Sequence, residues 1–326
     1  MIYAYEIKND AAAVLRCYGY GTEVELPEEI AGFPVAELGA YAFSEHMDLS
    51  MLRDGLESGM LLLWDDVAGE IYPHTRLTAA GGCIEGAGLS SLKLPAALRK
   101  IGAYAFYNCS ALKTISFHGG LCDLGAGLFT GCHCVRELHV TLGREETSCL
   151  REMLIELPEK LTVYMDGASE ARLVFPEYFE ESVENTPARI LVTQMHGSGI
   201  NYRNCFYARK IDFQAYDACF YAARAAEDFD TLLEMAVGRL MYPAGLSAQR
   251  RQDYGKWLGE NIGTAYESVI KSRDMEALSF LADESPGDAA RLRAAAFEAA
   301  AEGFAEGAAF LMDRLPRTKA AHRWEL

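Results

Sequence analysis

The sequence predicts an α/β and α protein: a short repeat solenoid with a parallel strand layer, followed by an α-helical domain of paired helices. Three observations predict it. Leu98–Phe117 (LRKIGAYAFYNCSALKTISF) is nearly repeated by Leu121–Val140 (LCDLGAGLFTGCHCVRELHV), every matching pair having the offset 121 − 98 = 23. The tail LGAYAF (Leu38–Phe43) matches IGAYAF (Ile101–Phe106) in all but its first residue. From Asp212 onward strand signals give way to alanine-rich helical spacing. A fixed period of this length marks stacked units, each burying its apolar face only against its neighbours.

With 326 residues the chain has room for more than one domain and a sizeable core. The pattern divides it into a repeat domain with an N-terminal hairpin (1–147), an α/β cap and connector (148–211) and an α-helical domain (212–326). A formal net charge of −17 argues against the basic footprint that nucleic-acid binding or an anionic membrane surface requires. The most apolar short stretch, Met60–Trp64, is far too short to span a membrane, and the N-terminus lacks a basic segment followed by an apolar one. The nine cysteines are odd in number and dispersed, which predicts free thiols in a reducing, cytoplasmic setting.

Along the chain, Tyr3, Tyr5 and Ile7 alternate with other residues ahead of Asn9–Asp10, predicting a β-hairpin that covers the open end of the stack. Within a unit such as LKTISF, Leu112, Ile115 and Phe117 point inward, and a short strand stacks on the strand of the next rung. A weaker rung ends at Leu89–Pro95, where Leu89, Leu92 and Leu94 precede Leu112, Ile115 and Phe117 by 23 residues. Gly102 and Gly125 mark turns that need close passage. Phe106 and Phe129 fill the opposite wall, and Cys109 and Cys132 close the turn that follows. Residues 44–88 depart from the repeat and read as a short amphipathic helix and a hydrophobic strand, either an inserted binding element or a degenerate rung.

The pattern carried by Leu94, Pro95, Leu98, Ile101, Gly102, Tyr104, Ala105, Phe106, Cys109, Leu112 and Ile115 resembles the BspA-like leucine-rich repeat family, over about residues 24–43 and 89–140. That resemblance implies a bacterial repeat scaffold for protein–protein contact with no chemistry of its own. Family members are often surface-exposed, so a cell-surface adhesin is one alternative function.

After Ser148 the sequence reads as a helix (CLREMLIELPEK), a strand pair turning at Gly167, and another strand (ARILVTQ) that together seal the end of the stack. The loop after it, His196-Gly197-Ser198-Gly199 with Asn204 beyond, offers a histidine and a hydroxyl but matches neither a nucleophile elbow nor a phosphate loop, so a tight hairpin or hinge is expected. A further alternative places an enzyme or small-ligand site there, between the two halves. His118, Cys122, Cys132, His133, Cys134 and His139 crowd 22 residues, but they lack paired C-x₂₋₄-C dyads, and Cys132 holds a buried repeat position; no metal and no cofactor is expected. The acidic run Glu177–Glu184 reads as a solvated helix face. Further on, Asp230 is expected to cap a helix ended by Pro243 and Gly245, and Gln249–Lys271 reads as one longer helix. EALSFLAD (Glu276–Asp283) is echoed by EGAAFLMD (Glu306–Asp313) at an offset of 306 − 276 = 30, and the hairpin over 289–313 weakly resembles ankyrin-type helix pairs.

One surface follows from the period. If Ile115, Phe117, Leu138 and Val140 point inward, then Thr114, Ser116, His118, Glu137, His139 and Thr141 point out of the strand layer. The sequence thus predicts a non-enzymatic scaffold or adaptor whose partner is a protein and whose candidate contact residues are these six.

Overall fold

The computed structural model describes residues 1–79, 81–185, 190–284 and 288–315. They form two compact units, 1–227 and 228–326.

The first unit begins with β1 (Ile2–Lys8) and β2 (Ala11–Gly19), an antiparallel hairpin turning at Asn9 and Asp10, both with positive φ. Short strands follow: β3 (Glu23–Glu25), β4 (Glu29–Ile30) and β5 (Phe33–Leu38). The segment that departs from the repeat supplies α1 (Leu49–Ser58), capped by the Asp48 side chain, then β6 (Leu62–Asp65), β7 (Glu70–Ile71) and β8 (Gly82–Cys83). This segment is neither a rung nor a projection from the rungs. β6 pairs antiparallel with β1, β8 pairs with β2, and α1 buries Leu52 and Leu56 against Ile2, Ala4, Tyr18 and Leu63. It extends the sheet of the N-terminal hairpin because its apolar stripe and the hairpin's outer face complete one another.

The repeat itself is β9 (Ser91–Lys93), β10 (Lys100–Ile101), β11 (Thr114–His118), β12 (Asp123–Leu124) and β13 (Glu137–Thr141). These strands sort into two parallel ladders. In one, Val14, Leu38, Ile101 and Leu124 stand in register on β2, β5, β10 and β12. In the other, Val24, Leu92, Ile115 and Leu138 stand in register on β3, β9, β11 and β13. Between the ladders and the turns opposite lies the core: Phe43, Phe106 and Phe129 are buried and stacked, with ring centroids 6.0 and 5.5 Å apart. Each rung satisfies its turn from the next, as where Phe43 N donates to Ala105 O and Asn108 N to Thr130 O. The Phe43–Phe106 stack spans 106 − 43 = 63 residues, so the chain leaves the coil for its insertion and returns in register.

The second ladder ends with α2 (Leu150–Glu156), β14 (Leu161–Asp166) and β15 (Ala171–Phe175). β14 adds parallel to β13 and β15 closes antiparallel on β14. β16 (Phe179–Asn185) and β17 (Ile190–His196) form a separate hairpin. The acidic run is therefore a strand and not a helix face: its glutamates alternate with Phe179, Ser182 and Val183 and pair across to β17. The first two residues of ARILVTQ lie outside the described residues. Then come α3 (Gly199–Arg203), β18 (Phe206–Tyr207), β19 (Lys210–Ile211) and α4 (Phe213–Ala223). Two buried side chains tie this segment together. The Tyr216 hydroxyl donates to Val174 O at 2.6 Å and accepts from Val174 N at 2.9 Å. Arg203 donates to the carbonyls of Leu154, Leu157, Glu159, Pro176 and Gly199, and burial pulls its pKa down to about 10. α4 belongs to the first unit, although its spacing groups it with the C-terminal helices.

The second unit contains α5 (Phe229–Met241), α6 (Ala248–Glu260), α7 (Ile262–Ser272), α8 (Met275–Glu284), α9 (Ala289–Ala301) and α10 (Ala305–Asp313). Two expectations are corrected here. Asp228, not Asp230, caps α5 by accepting from Thr231 N at 2.7 Å, while Asp230 accepts from Ser268 Oγ. The single helix over 249–271 is broken at Asn261, whose side chain donates to Trp257 O and ends α6. The 30-residue echo, by contrast, extends further than the two matched segments. Ile262, Ala265, Tyr266 and Val269 on α7 are buried, as are Leu292, Ala295, Ala296 and Ala299 on α9, each 30 residues on. Both helices end in a left-handed residue at the same step, Arg273 (φ 57°) and Gly303 (φ 70°). The last residues of the chain, from 316, lie outside the described residues.

Candidate protein interface

Strands alternate faces, so the inward rows fix the outward ones. On β11 the pattern of burial is alternate, with Ile115 and Phe117 inside and Thr114, Ser116 and His118 partly open. β13 repeats it, with Leu138 and Val140 inside and Glu137, His139 and Thr141 outside. The register places Thr114 beside Glu137, Ser116 beside His139 and His118 beside Thr141. All six predicted residues thus lie on one side of two adjacent strands.

Glu137 sits between two of them, with Thr114 Oγ1 and His139 Nε2 each 3.5 Å from its Oε2. The row through Ser116 and His139 also runs further than the period indicates. It starts with Glu25 and Lys93, which form an ion pair, and continues to Tyr164 and Arg172. His139 stacks on Tyr164 with centroids 4.6 Å apart and planes at 10°, and the Arg172 guanidinium lies 5.5 Å from the Tyr164 centroid. Stacking of this kind holds the side chains in one arrangement before any partner arrives. Period counting misses Tyr164 because it follows His139 by 164 − 139 = 25 residues, two beyond the repeat. The alternation in Leu161–Met165 carries the signal instead, since Leu161, Val163 and Met165 are buried while Thr162 and Tyr164 are partly open.

The other motifs resolve into local structure. Cys109 and Cys132 are buried and their thiols donate to the carbonyls of Phe43 and Phe106, one rung back. Cys122 is exposed, His133 Nδ1 contacts Glu159 at 2.7 Å, and among the described residues no three His, Cys, Asp or Glu gather as metal ligands would. His196 stacks on Phe179, Gly197 takes the left-handed conformation, and Ser198 N donates to Glu227 Oε1. No helix among the described residues is long and apolar enough to cross a membrane.

Two ladders of in-register parallel strands, stepped by a constant residue count, define a repeat protein. The family model described as the BspA type leucine-rich repeat region (6 copies) matches residues 80–149, and this part of the chain is such a region. No curated protein and no solved structure matches the chain. The rung over 24–43 lies outside the matched span, yet it continues both ladders, Val24 beside Leu92 and Leu38 beside Ile101.

Proposed function

We propose that the chain is a protein-interaction scaffold whose repeat region, a short solenoid, presents the outward strand row to a protein partner. The row from Lys93 through Ser116, His139 and Tyr164 to Arg172 carries this reading. It combines an aromatic ring, a guanidinium, an imidazole and an ammonium on rigid strands, the residue types that anchor protein interfaces. The leucine-rich repeat region supports the same role, since such repeats offer an extended surface. In this reading residues 1–147 bear the interface, 148–211 close the stack, the helical part from 212 is a second interaction unit, and the setting is cytoplasmic.

The test is affinity capture from the native host with the wild type, with a Glu137→Lys, His139→Glu double variant, and with a chain lacking residues 212–326. We expect the double variant to lose a specific partner. A set of partners unchanged by the double variant and by the deletion would remove the assignment.

A further inference from the structure

The repeat turns carry a second feature that the scaffold role does not use. LGAYAF and IGAYAF put tyrosine at 41 and 104, where the next rung, LGAGLF, has Gly127. All three positions take the left-handed conformation, with φ of 55°, 56° and 63°. Glycine meets that requirement freely, whereas a bulky side chain is strained there. The core does not need these tyrosines, because Ala42, Ala105 and Leu128 with Phe43, Phe106 and Phe129 already fill the buried wall. Strain kept where a neighbouring rung shows it to be avoidable points to use of the rings.

The rings are arranged as walls. Tyr41 and Tyr104 stack with centroids 5.3 Å apart and planes at 18°. Tyr107 stands at 80° to Tyr104 with a centroid distance of 6.0 Å, and His46 stands at 89° to Tyr107 at 4.9 Å. The three tyrosines are half-buried and His46 is exposed. These four residues line a shallow cavity of about 510 Å³, with no lysine or arginine among them. Rings set at right angles present the negative face of one and the edge of another to the same small volume, which suits a compact cation. A net charge of −17 draws cations toward the chain.

We propose that Tyr41, Tyr104, Tyr107 and His46 form a cup for an alkylated ammonium group, borne by a free quaternary amine or by the methylated lysine of a protein. The cation–π attraction sets this ligand apart from a neutral group of the same shape.

Calorimetric titration of the full chain tests it with three probes: choline chloride, its neutral isostere 3,3-dimethylbutan-1-ol, and a short peptide bearing one trimethyllysine. Both cations should bind saturably and the neutral isostere at least about tenfold more weakly. Tighter binding of the peptide assigns the cup to a protein side chain, and tighter binding of choline to a free amine. Tyr104→Gly gives the second rung the residue the third already has, so the fold should be kept while affinity falls at least about tenfold. Tyr107→Ala, outside the left-handed position, should weaken binding independently. The proposal is overturned by no saturable binding of either cation, by equal affinity for the neutral isostere, or by unchanged affinity in a folded Tyr104→Gly or Tyr107→Ala chain.

Discussion

Gly125 lies so close to Ala103 that a methyl group on it would come within 2.2 Å of the Ala103 backbone nitrogen. Gly102 stands in the same relation to Ala40, at 2.3 Å, one rung earlier. Backbone cannot retreat as a flexible side chain can, so these glycines set the spacing between rungs. Gly125→Ala and Gly102→Ala should each destabilise the first unit by about 2–3 kcal/mol or more. At Gly39 the added methyl would meet chiefly the Leu15 side-chain tip at 2.6 Å, so Gly39→Ala should cost less. Urea midpoints of the three variants read the order directly, and equal shifts would contradict it.

The repeat cysteines give a second outcome. Burial pushes the Cys109, Cys132 and Cys149 thiols up to about 12, and Cys17 is raised as well. Only the thiolate reacts with alkylating reagents, so iodoacetamide at pH 8 should label exposed Cys122 first and leave these four unlabelled until denaturant is added. Mass spectrometry of timed samples shows the order. The shifts also carry a sign for stability. Unfolded thiols ionise near their model value of 9.0, while the folded ones hold their protons to about 12. Stability from this source is therefore intact below pH 9 and is lost as pH rises through that window.

Arg273 and Gly303 occupy equivalent ends of α7 and α9. Asp274 N donates to Val269 O, and Phe304 N donates to Ala299 O, 30 residues on. Arginine is strained in the left-handed position that glycine fits, and its only printed polar contact is a 3.4 Å bond to Glu302 O. Arg273→Gly should raise stability by about 0.5–1 kcal/mol, and Gly303→Arg should lower it by a similar amount. Thermal melts of the two variants moving in the same direction would break the equivalence of the two hairpins.

Period-based reading works where a unit is copied. Offsets of 23 place Ile115 beside Leu138 and Ser116 beside His139 as they stand on β11 and β13, and alternation then gives their faces. It fails where the chain departs from the copy. The 63-residue step from Phe43 to Phe106 hides the rung that an insertion splits, and the 25-residue step to Tyr164 hides the aromatic end of the outward row. Local pattern misleads in other places. Glu180–Glu184 is polar enough for a helix face, yet it is held as a strand by pairing with β17. Asn261 interrupts a continuous helical period through a side-chain bond to the backbone that spacing does not register. The orthogonal rings of Tyr104 and Tyr107 lie three residues apart in sequence, but their relation depends on a left-handed residue that composition does not reveal.

The outward row is tested most directly by site-specific photo-crosslinking in the native host. A benzophenone amino acid is placed in turn at Ser116, at Tyr164 and, as a control on α1, at Asp54. The scaffold reading predicts that Ser116 and Tyr164 capture the same discrete protein and that Asp54 does not. No adduct from the two strand positions, or an equal one from Asp54, would contradict it.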